Sequence, residues 1–256
     1  MSWARQIHIK TSAELQIMRE AGRINATVHA TVNELLKPGV STADLNAAAE
    51  EVLRRHGCVS PFKGYGHPPF PASITVSINQ ELVHGIPSKS RKLKNGDIVS
   101  IDCGTVFDGF VADSAFSAGV GEISSEAQEL LRVTEESLQA GIQAMRAGNR
   151  TGDVSAAIQN YVESHGFYVT REYTGHGVGR QMHEGPQVPN YGKPGTGMLL
   201  KAGMTIAIEP MVLVGTAETR VLPDQWTVVS ADGSLTAHFE HSVAVTEGEP
   251  LLLTVL

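Results

Sequence analysis

"LKPGVSTADLNAAAEEVLRRHG", residues 36–57, and "MRAGNRTGDVSAAIQNYVESHG", residues 145–166, are two versions of one segment. Aligned without a gap they agree at seven of 22 positions: Gly39/Gly148, Thr42/Thr151, Asp44/Asp153, Ala47/Ala156, Ala48/Ala157, His56/His165 and Gly57/Gly166. Each copy predicts a helix that is capped near a Thr or Asp, whose oxygen accepts free N–H groups of the first turn, and that stops at Gly. A second pair follows downstream, "LKNGDIVSID" (93–102) against "LKAGMTIAIE" (200–209). The offset is 109 residues in the first pair and 107 in the second. Two matches in one order at nearly one spacing predict a half-domain written twice, roughly residues 13–122 and 123–249, within a single domain spanning 1–256.

The stretch "VSIDCGTVFDGFVADSAF", residues 99–116, reads as two apolar strands joined by a Gly-containing turn, with Asp102 and Asp113 set among core-type residues. A carboxylate withdrawn from water takes up a proton or finds a cation. The duplication repeats the arrangement: Glu209 stands where Asp102 does, and Glu240 in "HFEHSVAV" follows it as Asp113 in "FVADSAF" follows Asp102. Halves related by a pseudo-twofold axis would bring all four carboxylates onto one sheet face. The sequence sets no Lys or Arg beside them, so metal is the expected compensation. Oxygen-rich sites with one or two imidazoles suit divalent ions, and bridging carboxylates support a pair ~3.5–4 Å apart. "YTGHGVGRQMHEGP", residues 173–186, offers the imidazoles. Its glycines at 175, 177 and 179 argue against a helix, and His176 and His183 are too far apart for the H-E-x-x-H helix of zinc proteases.

Composition agrees with an ordinary globular protein: 41% hydrophobic and 18% charged over 256 residues, enough for one large domain or two small ones. A net charge of −7 gives no reason to expect specific nucleic-acid binding. No apolar run reaches membrane-spanning length and "MSWARQIHIK" lacks the apolar core of a secretion signal, so a cytoplasmic protein without membrane contact is expected. Cys58 and Cys103 read as buried thiols.

With these motifs in view, the sequence resembles the type I methionine aminopeptidases from about Ala13 to its end. The motifs that carry the likeness are "SINQELVHGIP", "GDIVSIDCG", "TGHGVGRQMHEGP", "TIAIEPM" and "HFEHSVAV". The resemblance implies the α+β pita-bread fold, with duplicated half-domains and a curved antiparallel sheet flanked by helices. It implies two divalent ions (Co, Mn, Fe or Zn) held by Asp102, Asp113, His176, Glu209 and Glu240. In that scheme Asp113 and Glu240 bridge the ions, Asp102 holds one, and His176 with Glu209 holds the other. His84 and His183 resemble the family's substrate-facing imidazoles, and Glu209 would also serve as general base. Tyr65, Phe70, Met182 and Trp226 resemble its methionine pocket, although His67, Pro68 and Pro69 interrupt the commoner form of the pocket loop. The implied substrates are peptides and nascent chains with N-terminal Met, met at the ribosome by a monomer. His56, His165 and His241 receive no role. Two alternatives stand beside this reading. A pita-bread Xaa-Pro peptidase usually has an extra amino-terminal domain, for which residues 1–12 leave no room; a non-catalytic pita-bread binding protein would typically lack some of the five ligands.

Overall fold

The computed structural model describes residues 7–256. Four helices occur among them: α1 (Ser12–Asn33), α2 (Thr42–Arg55), α3 (Ser125–Gln143) and α4 (Thr151–Ser164). The strands of the first half are β1 (Thr75–Ile78), β2 (Glu81–Val83), β3 (Ile98–Phe107) and β4 (Phe110–Gly119). The second half contributes β5 (Tyr168–Val169), β6 (Thr174–Gly177), β7 (Glu184–Pro189), β8 (Thr205–Ile208) and β9 (Met211–Leu213). It continues with β10 (Thr219–Val221), β11 (Val228–Ser230), β12 (Thr236–His238), β13 (Glu240–Ala244) and β14 (Leu251–Leu252).

The repeated segment folds the same way twice. Helices α2 and α4 are 14 residues each, and the predicted aspartates act at their third position. Asp44 Oδ2 accepts the Ser41 N–H at 3.1 Å, and Asp153 Oδ2 accepts the Arg150 N–H at 2.7 Å. Gly39 and Gly148 have φ of +93° and +94°, a conformation costly for any residue with a Cβ. Their N–H groups donate to Leu93 and Leu200, the first residues of the second repeated pair. Each entry to a repeat helix is thus tied to the turn that leads into a central strand.

The main antiparallel sheet runs β1-β3-β4-β13-β8-β6-β7, with β14 beside β13. Its first six strands form a palindrome, because β3 and β8 are the repeated strands and β4 and β13 meet at the seam. The predicted hairpin is β3–β4, turned by Asp108 and Gly109 at φ of +46° and +74°, as a tight two-residue hairpin turn requires. Each half has its own core under its own helix pair. Val28 and Leu45 pack with Val99 and Ile101 in one, and Leu130 and Ile158 pack with Ile206 and Val243 in the other. Removing such side chains from water supplies most of the driving force for the layered α+β arrangement.

Buried polar groups tie α1 to the first hairpin. Asn25 Nδ2 donates to the Cys103 carbonyl, Asn25 Oδ1 accepts from Ser114 Oγ at 2.6 Å, and His29 Nε2 meets the Ser114 carbonyl at 2.9 Å. Cys103 pairs with Ser114 across the hairpin, and these residues adjoin Asp102 and Asp113. The register of the two aspartates is therefore held from behind the sheet. Both cysteines are buried free thiols, as expected.

Candidate metal centre and substrate cleft

Strand alternation determines where the carboxylates point. Asp102 on β3 lies opposite Ala115, and Asp113 on β4 lies opposite Gly104, so the hairpin carries them two residues out of register on one face. Across the seam, Glu240 opens β13 opposite Ala115, and Glu209 follows the end of β8. His176 on β6 is paired with Ala207 of β8. Ligand atoms of Asp113, His176 and Glu240 all lie within 4.8 Å of one another, and all three residues are buried. Glu209 Oε1 is 3.4 Å from His176 Nε2. The two residues of each half thus converge on one spot.

Electrostatics make the cluster untenable as four bare anions. Burial, then the charge of Asp113, holds the Asp102 carboxyl well above its usual range, and burial pushes Asp113 up to about 7. Glu209 and Glu240 are raised for the same reasons, burial first and their acidic neighbours second. No Lys or Arg among the described residues forms an ion pair with any of the four. Asp102 Oδ1, Asp113 Oδ1 and Glu240 Oε1 are buried without a hydrogen-bond partner. Buried carboxylate oxygens without partners, two of them on residues whose ligand atoms cluster with that of His176, are the donor set of a divalent cation, so the residues fit a metal.

His176 is prepared for ligation. Its Nδ1 is 3.0 Å from the Gly177 carbonyl, which can only accept, so the proton sits on Nδ1 and the Nε2 lone pair faces the acids. Burial and the neighbouring His183 push its pKa down to about 3, which keeps the ring neutral.

The other two histidines line the approach. The His183 ring is 4.3 Å from that of His176, centroid to centroid, and its Nδ1 is 2.8 Å from Tyr65 Oη. Burial raises the Tyr65 phenol, which therefore keeps its proton at neutral pH, and burial pushes His183 down to about 4. A phenol O–H donated to Nδ1 leaves the single imidazole proton on Nε2. Tyr65→Phe is accordingly expected to lower kcat about three- to tenfold by freeing the tautomer, with KM little changed, as read by steady-state kinetics on the metal-loaded protein. His84 stands just past β2 at φ +62°, its ring nearly perpendicular to those of Trp226 and Tyr173, with centroids 6.0 Å and 5.9 Å away.

The expected pocket residues also come together. Phe70 packs in one apolar cluster with Met182 and Trp226, and its ring lies edge-on to Trp226 at 5.2 Å. Tyr65 is at the rim, 44% exposed. Phe62 and Ile86 belong to the same cluster and were missed, although Phe62 opens the aromatic loop that carries Tyr65 and Phe70, and Ile86 lies two residues after His84 in "SINQELVHGIP". The inserted His67-Pro68-Pro69 has a defined place: the Trp226 indole N–H donates to the Pro68 carbonyl at 3.0 Å, closing one wall. His56 and His165 cap the ends of α2 and α4, and His241 Nδ1 is 2.8 Å from Thr254 Oγ1, outside the cluster. His238 was missed. Its Nε2 is buried without a hydrogen-bond partner 3.8 Å from Glu240 Oε2, and the signal for it was its position two residues before Glu240 in "HFEH".

Residues 16–247 match the model of metallopeptidase family M24. The chain belongs to metallopeptidase family M24. Methionine aminopeptidase 1 of Bacillus subtilis is 52% identical to this M24 chain over 238 residues, covering 93% of it and 95% of the relative. Among solved structures, methionine aminopeptidase from Thermotoga maritima superposes with a TM-score of 0.95 at 45% identity, over 98% of this chain and 100% of that one. A looser likeness, TM-score 0.76 at 24% identity, extends to a Xaa-Pro dipeptidase from Bacillus anthracis, over 96% of this chain and 61% of that one; it shows the shared fold. The M24 chain thus has the pita-bread α+β fold that its motifs imply. No helix among its described residues is long and apolar enough to cross a membrane.

Proposed function

We propose that this chain removes N-terminal methionine from peptides and nascent proteins when the second residue is small and uncharged. It would act as a single catalytic domain over residues 1–256, in the cytoplasm, as a monomer working at the ribosome. The observation that carries the reading is the juxtaposition of a buried acid–imidazole cluster with an apolar, Met- and Trp-walled pocket. An unbranched thioether suits such a pocket, because its flexible, polarizable chain fills irregular apolar space. The likeness to named methionine aminopeptidases over nearly the full length supports it.

Two divalent ions, of Co, Mn, Fe or Zn, would be held by Asp102, Asp113, His176, Glu209 and Glu240. When bound, they supply Lewis-acid charge at the scissile carbonyl and lower the pKa of water. The residues of the chain do the rest. Glu209 accepts the proton of the attacking water and passes it to the leaving amine. His183 donates from Nε2 to the oxyanion that develops on the scissile carbonyl. His84 steadies the amide beyond the scissile bond. Phe70, Met182 and Trp226 exclude water from the methionine side chain, with Tyr65 at the rim, and the acidic cluster receives the substrate's free amino group.

The test is hydrolysis of tripeptides by the metal-loaded protein. Met-Ala-Ser is expected to turn over, with Met-Leu-Ser and Met-Lys-Ser at least tenfold slower in kcat/KM, on the order of 1.4 kcal/mol of discrimination. Comparable rates on all three would remove the small-residue rule. Preferential cleavage of Ala-Pro-Ala would replace the reading with an Xaa-Pro peptidase, and a metal-loaded protein inert on every peptide would leave a binding protein.

A further inference from the structure

Lys10 and Glu184 are 174 residues apart in the chain and meet at 2.6 Å, Nζ to Oε2, with side chains only 4% and 3% exposed. Lys10 precedes α1, where its N–H donates to the Gly203 carbonyl at 2.8 Å and its Nζ also donates to the His8 carbonyl at 3.3 Å. Glu184 directly follows His183 and opens β7; its Oε1 accepts the Gln181 N–H at 3.2 Å. The intervening backbone rests on the pair. A Cβ at Gly179 would come within 2.5 Å of Lys10 Cε and 2.8 Å of Glu184 Oε1, so a side chain there would have to displace the ends of the ion pair. The opposite side of the loop is held by Val111 N–H donating to the Gly179 carbonyl at 2.7 Å and by Arg180 Nη2 donating to Glu14 Oε1 at 3.1 Å.

A buried ion pair is a poor source of stability, since apolar residues of the same volume do as well or better once desolvation is counted. Stability therefore does not account for placing one under the loop that joins His176 to His183. We propose that Lys10 and Glu184 form a positioning clamp for His183. Lys10 fixes the Glu184 carboxylate, and Glu184 closes the loop through the Gln181 amide and sets the backbone that carries the neighbouring imidazole. The clamp's kinetic consequence rests on the aminopeptidase reading; its structural consequence does not.

The experiment compares wild type, Lys10→Met, the double variant Lys10→Met/Glu184→Gln, and Lys10→Arg, all full-length and metal-loaded. Lys10→Met strands a buried carboxylate and is expected to melt lower. Its kcat on Met-Ala-Ser should fall roughly ten- to a hundredfold, the scale of a misplacement near 1 Å, with KM and bound metal unchanged. The double variant removes both charges while Gln still accepts from the Gln181 amide. Its melting temperature should recover and its kcat should not, whereas Lys10→Arg should restore most of kcat. Hydrogen exchange over residues 178–184 should quicken in Lys10→Met and in the double variant, with the rest of the chain unchanged. A folded double variant with wild-type kcat and wild-type exchange would overturn the proposal, even if Lys10→Met alone failed to fold. If wild type leaves Met-Ala-Ser intact, the aminopeptidase reading fails and the exchange measurement still decides the clamp.

Discussion

Asp113→Asn is expected to abolish peptide hydrolysis and paired-metal binding while leaving the metal-free protein at least as stable as metal-free wild type. The substitution keeps the shape of the side chain and removes one charge from a cluster of four. In the metal-free fold, burial pushes the Asp113 carboxyl up to about 7 from its ordinary 3.8. As pH rises through that interval the unfolded chain releases a proton that the folded chain retains. Stability therefore falls with rising pH, by on the order of 4 kcal/mol for this group, and is greatest below the unfolded value. The variant lacks that loss, so in excess chelator its melting temperature should decline less than wild type between acid and neutral pH. Bound divalent ions should reverse the wild-type trend, because they bind the ionised cluster of the folded state. A metal-free variant melting several degrees below metal-free wild type at neutral pH would mean that hydrogen bonds, not charge, hold Asp113. The orphaned Asp113 Oδ1 argues against that outcome.

His183→Ala should lower kcat by roughly 10²–10³ with bound metal unchanged, the effect of removing one donor from a developing oxyanion. Burial keeps the ring neutral and the Tyr65 phenol turns its proton toward Nε2, so it donates across the neutral range. The variant's pH profile should keep its shape and lose only height. Metal analysis beside steady-state kinetics checks the assignment: metal lost in step with activity would move His183 into the ligand set.

The duplicated half was readable because its signals are local. A helix cap, a stopping glycine and a turn glycine each act within a few residues, and both copies fold with the same hydrogen bonds from Gly39 and Gly148. The hairpin carrying Asp102 and Asp113 was readable for the same reason. The convergence of those acids with Glu209, Glu240 and His176 needed the repeat, since it is the pairing of β4 with β13, one strand from each half, that sets the two pairs of acids side by side. Resemblance, not pattern, pointed to His84, His183 and the pocket aromatics. Lys10 and Glu184 left no trace in periodicity or spacing, because two charged residues 174 positions apart look like any pair of surface charges until the fold buries them. The Asn25 bond to the Cys103 carbonyl was hidden likewise: a polar residue within α1 reads as a solvated position until the hairpin behind it is known.

The palindromic order of the main sheet has a consequence for assembly. Each half brings two of the acids to the seam, so neither half alone owns a complete centre, and competence arises only when the second folds against the first. A chain split in the connection between β4 and α3 should give two fragments that are inert apart. Complementation would then restore turnover only where they re-form the seam, and added metal, by bridging acids of opposite origin, would act as the adhesive that holds the two pieces together.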